Sequence, residues 1–172
     1  LTPVQAAALT YDPSGTFTGN DIFTFTATDN DGAVDATPAT YTIPVGNNPP
    51  TANDVTTTSI PSTAGATAID PLSATDTDGT IATYTVSTLP ANGTLYINGT
   101  TAVTAGQILT PAQMATLTYD PNGTFTGNET FTFTATDNSG AVDATPATYT
   151  IPVGNNPPTA NDGTTTSIQS TA

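Results

Sequence analysis

An eight-residue segment, Asn-Asn-Pro-Pro-Thr-Ala-Asn-Asp, occurs at residues 47–54 and again, unchanged, at residues 155–162. Consecutive prolines cannot continue a helix or lie inside a central strand, so each copy predicts a stiff connector. Its surroundings repeat as well, because residues 1–64 match residues 109–172 at an offset of 108 positions with nine differences. A repeat of this length is the size of a domain and far exceeds a solenoid unit. We therefore expect a tandem array of similar domains.

The repeat sets the predicted domain boundaries. Residues 49–156 form one complete repeat, residues 1–48 the C-terminal part of a preceding repeat, and residues 157–172 the start of the next one. Two near-identical neighbours make further copies the natural expectation. A sequence that begins at Leu1 and stops within a repeat is accordingly expected to be a window of a longer protein.

Charge and composition exclude several classes of partner. The sequence has no Lys, Arg or His and 14 acidic residues, which gives a net charge of −14. A chain without cationic side chains is a poor partner for nucleic acid or for an anionic membrane surface, whereas surplus carboxylate favours divalent cations. The absence of Cys excludes disulfides and thiolate metal sites. No apolar run approaches the ~18 residues of a membrane span, so no membrane insertion is predicted.

Alternation of apolar residues with Thr predicts short strands. It is clearest at residues 130–136, where Phe131 and Phe133 share one face and Thr residues the other. Residues 147–153 predict an edge strand, because Pro152 cannot donate to a ladder. The remaining predicted strands lie at residues 55–60, 66–72, 81–86, 93–97, 102–103 and 117–119.

Turn signals separate these strands. Asn98-Gly99 predicts a two-residue hairpin loop. Thr110, Pro111 and Gln113 form a capping-box pattern that predicts a single helical turn, and residues 2–5 repeat it. Seven to eight short strands within about 100 residues favour an all-β fold, an immunoglobulin- or cadherin-like Greek-key β-sandwich repeated in tandem.

Four motifs give the repeat a family resemblance. They are Leu-Pro-Ala-Asn-Gly-Thr-Leu at 89–95, Leu-Thr-Pro-Ala-Gln at 109–113, Leu-Thr-Tyr-Asp-Pro at 117–121 and Phe-Thr-Phe-Thr-Ala-Thr-Asp at 131–137. Together they resemble the cadherin-like repeats of large bacterial surface adhesins, including the gliding-motility and biofilm types, and the related repeats of chondroitin-sulfate-proteoglycan type. The resemblance implies a secreted protein of the cell surface, an adhesin or filament stiffened by calcium.

Acidic turns supply candidate ligands for Ca²⁺, which takes six to eight hard oxygens. An immunoglobulin-like strand order would bring the loop after the second strand, the loop before the last strand and the entering linker to one pole. Carboxylates gathered there would repel one another without a cation. The alternative is that these Asp and Asn residues only form turns. The candidate metal ligands are Asp76, Asp78, Asp137, Asn53 and Asp54, with Asp12, Asp21, Asn47 and Asn48 from the preceding repeat.

These features favour a non-catalytic stalk repeat of an extended extracellular adhesin or surface filament. Without His, Cys or Lys, the Ser and Thr hydroxyls have no partner that would activate them as nucleophiles. The expected partners are neighbouring repeats of the same chain and other copies of the fibre; the adhesion target is not specified by the sequence. Two alternatives remain open: the repeat face binds glycan or ice, or the fibres assemble laterally into a sheath.

Overall fold

The computed structural model describes residues 1–155 and 157–163. Two short helices and fourteen strands follow one another in these residues. Their order is α1 (Pro3–Ala6), β1 (Gly19–Phe25), β2 (Ala39–Val45), β3 (Thr51–Asn53), β4 (Val55–Thr56), β5 (Ile60–Pro61), β6 (Thr67–Ala68), β7 (Ser73–Thr75), β8 (Ile81–Val86), β9 (Gly93–Ile97), β10 (Thr101–Ala102), β11 (Gln107–Leu109), α2 (Pro111–Met114), β12 (Thr118–Pro121), β13 (Gly127–Asp137) and β14 (Ala147–Gly154).

The strands from β4 to β14, except β7, build the two sheets of a sandwich, and β7 pairs with β3 in a separate two-stranded sheet. One sheet has the order β10-β9-β12-β6, and the other has the order β11-β8-β13-β14-β4, with β5 also paired to β14. All pairs are antiparallel except those of β14 with β4 and β5. The crossovers between non-consecutive strands, such as β9 with β12, bring together segments far apart in sequence. This arrangement confirms the predicted all-β, immunoglobulin-like sandwich.

The core lies between the two sheets and is made of alternate residues of each strand. In β13, Phe131, Phe133 and Ala135 are at most 1% exposed, as their shared face predicts. Tyr149 of β14 stacks on Phe131 with ring centroids 4.7 Å apart. The core contains Ile60, Ile69, Leu72, Tyr84, Val86, Leu95, Ile97, Val103, Leu109, Leu117, Tyr119, Phe131, Phe133, Ala135, Ala147, Tyr149, Ile151 and Val153.

Local signals located the turns. Asn98 and Gly99 have φ angles of 52° and 79°, so both lie in the left-handed region that an Asn-Gly turn favours. Ile97 pairs with Thr101, so the hairpin loop has three residues and the prediction of a two-residue loop was wrong by one residue. At α2, the Thr110 side chain accepts from the Gln113 backbone N–H while the Gln113 side chain accepts from the Thr110 backbone N–H. The predicted capping box is therefore formed, and the equivalent box is formed at α1.

Two predicted strands are shorter in the structure. Residues 55–60 split into β4 and β5, because Thr57 turns its side chain into the protein, where its Oγ1 accepts from the Asp70 backbone N–H at 3.1 Å. Residues 66–72 retain only the two-residue strand β6. In both segments, side-chain and loop contacts replace regular pairing.

β14 lies inside its sheet, so the prediction of an edge strand was wrong. On one side it pairs with β13, and on the other it pairs with β4 at Tyr149 and Thr150 and with β5 at Val153 and Gly154. Pro152 falls between these two short ladders, at the break between β4 and β5. A residue without an N–H is tolerated here because the neighbouring strand is interrupted at that point.

Residues 19–45 form a separate hairpin of β1 and β2, which we call the N-terminal hairpin. Its register, from Gly19 opposite Val45 to Phe25 opposite Ala39, is the register of β13 and β14 shifted by 108 residues. No described strand outside the hairpin pairs with it. The N-terminal hairpin therefore has the same strand pairing as the β13–β14 hairpin of the complete repeat.

Candidate functional site at the repeat junction

The linker at residues 47–54 is built into the complete repeat. Pro50 is fully buried, and β3 begins at the next residue and pairs with β7. The backbone N–H of Ala52 donates to Oδ2 of Asp143 at 2.7 Å, and Asp143 is itself buried. The second half of the linker is thus a strand of the repeat, with a carboxylate satisfying one of its backbone donors.

The first half of the linker contacts the two acidic loops at the same end of the sandwich. The Nδ2 of Asn47 donates to Oδ2 of Asp137 at 2.7 Å. The backbone N–H of Asn48 donates to Oδ2 of Asp78 at 2.9 Å. Two successive linker residues are therefore each held by a carboxylate of the repeat that follows, and such charge-assisted hydrogen bonds are the stronger kind.

Asp137 ends β13 and organises the loop that follows it. Its Oδ1 accepts from the backbone N–H groups of Ser139 and Ala141, both at 2.8 Å, and only 2% of the residue is exposed. The hydrogen bond from Asn47 lowers the pKa of Asp137 most, and the backbone N–H groups of the loop add to this effect against the opposing influence of burial. The carboxylate is therefore ionised over the neutral pH range.

Asp76 and Asp78 lie in the turn that follows β7. The backbone N–H of Asp78 donates to Oδ1 of Asp76 at 3.3 Å. The side chains of Asp76 and Asn138 both lie against Gly79. A Cβ on this residue would be 2.6 Å from Oδ2 of Asp76 and 2.5 Å from Oδ1 of Asn138, so only glycine fits between them. Oδ1 of Asn138 also accepts from the Thr80 backbone N–H at 2.7 Å.

The junction concentrates the buried side-chain oxygens that lack a hydrogen-bond partner. Among the described residues there are four such atoms, Asn47 Oδ1, Asp76 Oδ2, Asp78 Oδ1 and Thr118 Oγ1. Three of the four belong to the linker and to the acidic turn that contacts it. Buried polar atoms of this kind require an explanation, since leaving one unpaired destabilises the fold by about 1–3 kcal/mol. Oxygens of amide and carboxylate groups fit a hard cation such as Ca²⁺.

Comparison with known families identifies the fold. A family model described as a bacterial Ig domain matches residues 47–151, more than half of the chain. The chain belongs to the bacterial Ig domain family. The matched segment begins at Asn47, the first residue of the linker, and contains the sandwich up to the middle of β14. The resemblance to immunoglobulin-like repeats of bacteria that the sequence motifs suggested is thereby confirmed.

Among solved structures, this bacterial Ig domain is similar to one titled "Structures of Clostridium thermocellum CbhA fibronectin(III)-like modules". Sequence identity is 18%, the TM-score is 0.32, and the match covers 80% of this chain and 64% of that one. The chain thus spans less than two thirds of the length of that protein. A comparison with curated proteins found no match.

The structure places only some of the predicted metal ligands together at the junction. Asp137 and Asp78 accept hydrogen bonds from the linker, from the Asn47 side chain and the Asn48 backbone N–H, and Asp76 lies beside Asp78 in the same turn. Three carboxylates do not converge closely enough to form an acidic metal cluster anywhere in the described part of the chain. The ligand set suggested by the junction is therefore mixed, with amide oxygens beside two carboxylates.

The other predicted ligands make different contacts. Nδ2 of Asn53 donates to Ser73 Oγ at 3.2 Å, and Oδ1 of Asp54 accepts from the Thr148 backbone N–H at 2.7 Å. Oδ2 of Asp21 accepts from the Tyr11 hydroxyl at 2.6 Å. Hydrogen bonding to Tyr11 and then to the Ile22 N–H lowers the pKa of Asp21.

Asp12 has neighbours at the junction although none of the described hydrogen bonds connects it to the acidic turn. Pro13, Ser14 and Gly15, which follow it, line a cleft of about 240 Å³ with Asn48 and Asp78. The loop after Asp12 therefore lies beside the linker, and a ligand role for Asp12 itself stays a prediction.

Sequence reasoning missed one residue that holds the linker. Asp143 lies in an exposed-looking loop sequence, Ala-Val-Asp-Ala-Thr-Pro, yet it is buried and bonds Ala52, which is 91 positions away. The only signal was that the matching residue of the preceding repeat, Asp35, is also an Asp, which a role in a turn explains equally well.

Neither of the described helices, α1 and α2, is long enough to cross a membrane.

Proposed function

We propose that this chain is a non-catalytic structural spacer, a stalk segment of an extended adhesin or filament on the bacterial cell surface. Its place in the bacterial Ig domain family supports a structural module at the surface or outside the cell. The single observation that carries the proposal is the linker, where Pro50 is buried and Asn47, Asn48 and Ala52 are hydrogen-bonded to the repeat that follows. Repeats joined in this way hold a constant spacing.

The contacts at residues 47–53 show how the spacing would be kept. Asn47 and Asn48 bond two acidic loops, Pro50 is buried, and Ala52 bonds Asp143 within the β3–β7 pair. Proline stiffness alone would fix the distance between repeats, and these additional contacts also restrict the angle. With strands of six to nine residues plus loops, each repeat would add about 30–45 Å to a fibre.

The side chains of the repeat support a non-catalytic role. Of the acids in the described residues, Glu129 is buried and both of its oxygens accept hydrogen bonds, from the Ala91 and Asn92 backbone N–H groups and from the Asn92 side chain. It is therefore a structural clamp. The sequence offers no His, Cys or Lys to complete a nucleophilic site.

A glycan-binding repeat face receives less support than a spacer. Aromatic rings on the surface are the usual means of stacking on sugars, and within residues 47–155 the exposed large hydrophobic residues are Leu89, Ile108 and Val142. None of them is aromatic. The outward Thr residues of β13 and β14 form an uncharged surface, which is also what an ordinary solvent-facing sheet presents.

Small-angle X-ray scattering on longer chains tests the spacer proposal. One or two further copies of residues 49–156 are inserted after Asn156, so that the 108-residue period is kept. The maximum dimension should increase by about 30–45 Å with each copy. As a control, Gly-Ser-Gly-Ser inserted between Gly46 and Asn47 should shorten and broaden the distance distribution. If the dimension grows only with about the square root of copy number, as for flexibly linked domains, the proposal is wrong.

A further inference from the structure

We propose that Asn122 is a site of intramolecular deamidation, at which the loop between β12 and β13 helps to convert the side-chain amide into a carboxylate. The reaction needs only water and the chain itself, so it goes beyond the spacer function and does not depend on it. The attacking group is the backbone nitrogen of the next residue, Gly123. A glycine leaves the approach to this nitrogen open because it has no Cβ.

The atoms of the reaction balance without any further reagent. The Gly123 nitrogen gives its proton to hydroxide or to a buffer base and bonds to Cγ of Asn122, while the side-chain nitrogen leaves as ammonia. The product of this step is a cyclic succinimide. Water then opens the ring at either of its carbonyl groups, which gives aspartate or isoaspartate. The net change is the gain of one water molecule and the loss of one ammonia molecule.

Three donors of the loop already hold the oxygen on which negative charge would develop. Oδ1 of Asn122 accepts from the Thr124 N–H at 3.2 Å, from the Thr124 hydroxyl at 3.3 Å and from the Phe125 N–H at 3.1 Å. Donors that point at a developing oxyanion lower the barrier to attack on its carbonyl carbon. They also fix the side chain, so less ordering is needed to reach the reactive geometry.

The attacking nitrogen and the leaving nitrogen are both accessible. Among the described hydrogen bonds, none involves Nδ2 of Asn122 and none is donated by the Gly123 N–H. Both residues are exposed, and beyond the chain neighbours of Gly123 no atom lies within 4 Å of a Cβ placed on it. A base can therefore reach the Gly123 N–H, and ammonia can leave into solvent.

The Asn92-Gly93 pair has the same two residue types but is protected by the fold. Nδ2 of Asn92, which would have to leave, donates to Oε2 of Glu129 at 2.8 Å. A Cβ on Gly93 would overlap the hydroxyl of Tyr119 and the carbonyl oxygen of Asp120, so a base has no room at this glycine. Ring closure at Asn92 therefore requires local unfolding.

The Asn98-Gly99 pair is exposed, but its carbonyl oxygen has only one donor. The Thr116 hydroxyl donates to Oδ1 of Asn98 at 3.3 Å, and the same hydroxyl donates to the Gln113 carbonyl oxygen at 2.7 Å. A hydroxyl has a single hydrogen, so it cannot serve both acceptors at once. The structure thus favours Asn122 over Asn98 through the number of donors on the reacting carbonyl.

Deamidation would change the complete repeat and leave the preceding copy unchanged. Ser14 stands at the position that matches Asn122, so the preceding copy has no amide to lose there. In isoaspartate the main chain runs through the former side chain and is longer by one methylene, so the turn that Oδ1 organises is lost. Phe125, which packs against the core, lies in this loop. The modification therefore acts on the segment that leads into β13.

Peptide mapping by mass spectrometry tests the site. The folded 172-residue chain is incubated in mildly alkaline buffer beside a sample that is unfolded in urea, and both are quenched with acid at intervals. Because the sequence has no Lys or Arg, the chain is digested with chymotrypsin, whose cuts after Tyr and Phe place the three Asn-Gly pairs in different peptides. The loss of amide is measured for each peptide.

The folded and the unfolded chain should rank the three sites differently. In the folded chain we expect Asn122 to lose its amide about threefold faster than Asn98 and about tenfold or more faster than Asn92. In urea all three pairs have similar surroundings, so their rates should agree within about a factor of two. Asn122 should also react about threefold faster in the folded chain than in urea.

One variant tests the role of the loop donors. Thr124→Ala removes the hydroxyl donor and should slow the reaction of Asn122 about threefold in the folded chain, with no change in urea. Thr126→Ala is the matched control, because Thr126 is exposed in the same loop and none of the described hydrogen bonds joins it to Asn122. Circular dichroism checks that both variants remain folded.

Three results would overturn the proposal. Slower loss of the Asn122 amide in the folded chain than in urea would mean that the loop protects this residue. Faster loss at Asn98 than at Asn122 in the folded chain would place the reactive amide in the hairpin loop. An unchanged rate in Thr124→Ala would remove the part assigned to the donors. None of these results bears on the spacer function, which scattering tests separately.

Discussion

The N-terminal hairpin and the β13–β14 hairpin have nearly the same sequence and the same register, yet they differ in burial. Phe25 is 48% exposed, and its counterpart Phe133 is fully buried. The ring pair of each hairpin is stacked in the same way, with centroids 5.1 Å apart for Phe23 and Tyr41 against 4.7 Å in the core. The hairpin therefore specifies its own pairing, while the core requires the second sheet.

The largest expected difference between the hairpins is in the cost of removing a ring. Phe133→Ala should lower the free energy of unfolding by about 3–5 kcal/mol, because a fully buried ring leaves a cavity. Phe25→Ala should change it by about 0.5 kcal/mol or less, since the ring is already half exposed. Urea unfolding followed by circular dichroism measures both.

A longer chain would sharpen the same comparison. If residues 49–108 are joined directly before Leu1, the 108-residue frame is preserved and the hairpin gains the segment that covers its counterpart. Phe25→Ala should then cost about as much as Phe133→Ala, about 3–5 kcal/mol. If Phe25→Ala still changed the free energy of unfolding by about 0.5 kcal/mol or less in the longer chain, the two hairpins would differ in more than the segment that covers them.

A smaller difference is expected at the acid that begins each hairpin. Glu129 is buried and accepts three hydrogen bonds from the loop at Ala91 and Asn92, whereas its counterpart Asp21 bonds Tyr11 on an exposed surface. Glu129→Ala would leave those donors unpaired and should cost about 2–3 kcal/mol. Asp21→Ala should have an effect within about 0.5 kcal/mol.

The side-chain length at this position can be tested separately. Glu129→Asp introduces the residue that the preceding copy carries and retains the charge. We expect it to recover less than half of the lost stability, because a side chain shorter by one methylene cannot reach both backbone donors. Full recovery would show that the charge alone, and not the geometry of the clamp, stabilises the loop.

Alkaline pH should test the burial of two tyrosine hydroxyls in the core. Burial raises the pKa of Tyr149 to about 12, and burial, helped by Glu129 and Asp120, raises that of Tyr119 to about 12. The unfolded chain loses these protons near pH 10, so folding stability is complete below about pH 10 and declines as the pH rises to about 12. Urea unfolding between pH 9 and 12 should show this decline.

Substitutions assign that decline to the buried rings. Tyr149→Phe should make the fall in stability above about pH 10 shallower, although it also removes the hydrogen bond from Tyr149 Oη to the Asp70 carbonyl. Tyr41→Phe, at the matching exposed position, retains both buried hydroxyls and is the matched control. An identical slope in Tyr149→Phe and the parent chain would contradict the burial of this hydroxyl.

Features encoded within a few residues could be predicted from the sequence. The alternation in β13, the Asn98-Gly99 turn and the Thr110 capping box depend on neighbours no more than four positions away, and the structure has all of them. The break after Thr56 and the interior place of Pro152 depend on how β4 and β5 pair with β14, roughly 90 positions further along the chain. Periodicity carries no information about such contacts.

The candidate site likewise has some contacts that the sequence predicted and others that it could not. Asp76 and Asp78 were predicted from their spacing in a turn, and the strand order placed Asp137 beside them. The bond between Asn47 and Asp137 spans 90 positions, and that between Ala52 and Asp143 spans 91, so neither could be derived from local pattern. Asn47 bonds Asp137 through its side chain and Asn48 bonds Asp78 through its backbone N–H, and this difference depends on the conformation of the linker. Calcium at the junction stays a prediction.

The smallest expected difference concerns the capping box, which is complete in both copies. Thr110→Ala should lower the free energy of unfolding by about 1 kcal/mol, because it removes a helix cap from the folded repeat. Thr2→Ala removes the same bonds but should have no measurable effect on global unfolding, since no residue of α1 packs against the core, whereas Met114 of α2 does. Equal losses would mean that α1 unfolds together with the sandwich. Unequal losses would show that both copies form the helical turn but only the copy attached to the two sheets shares their cooperative stability.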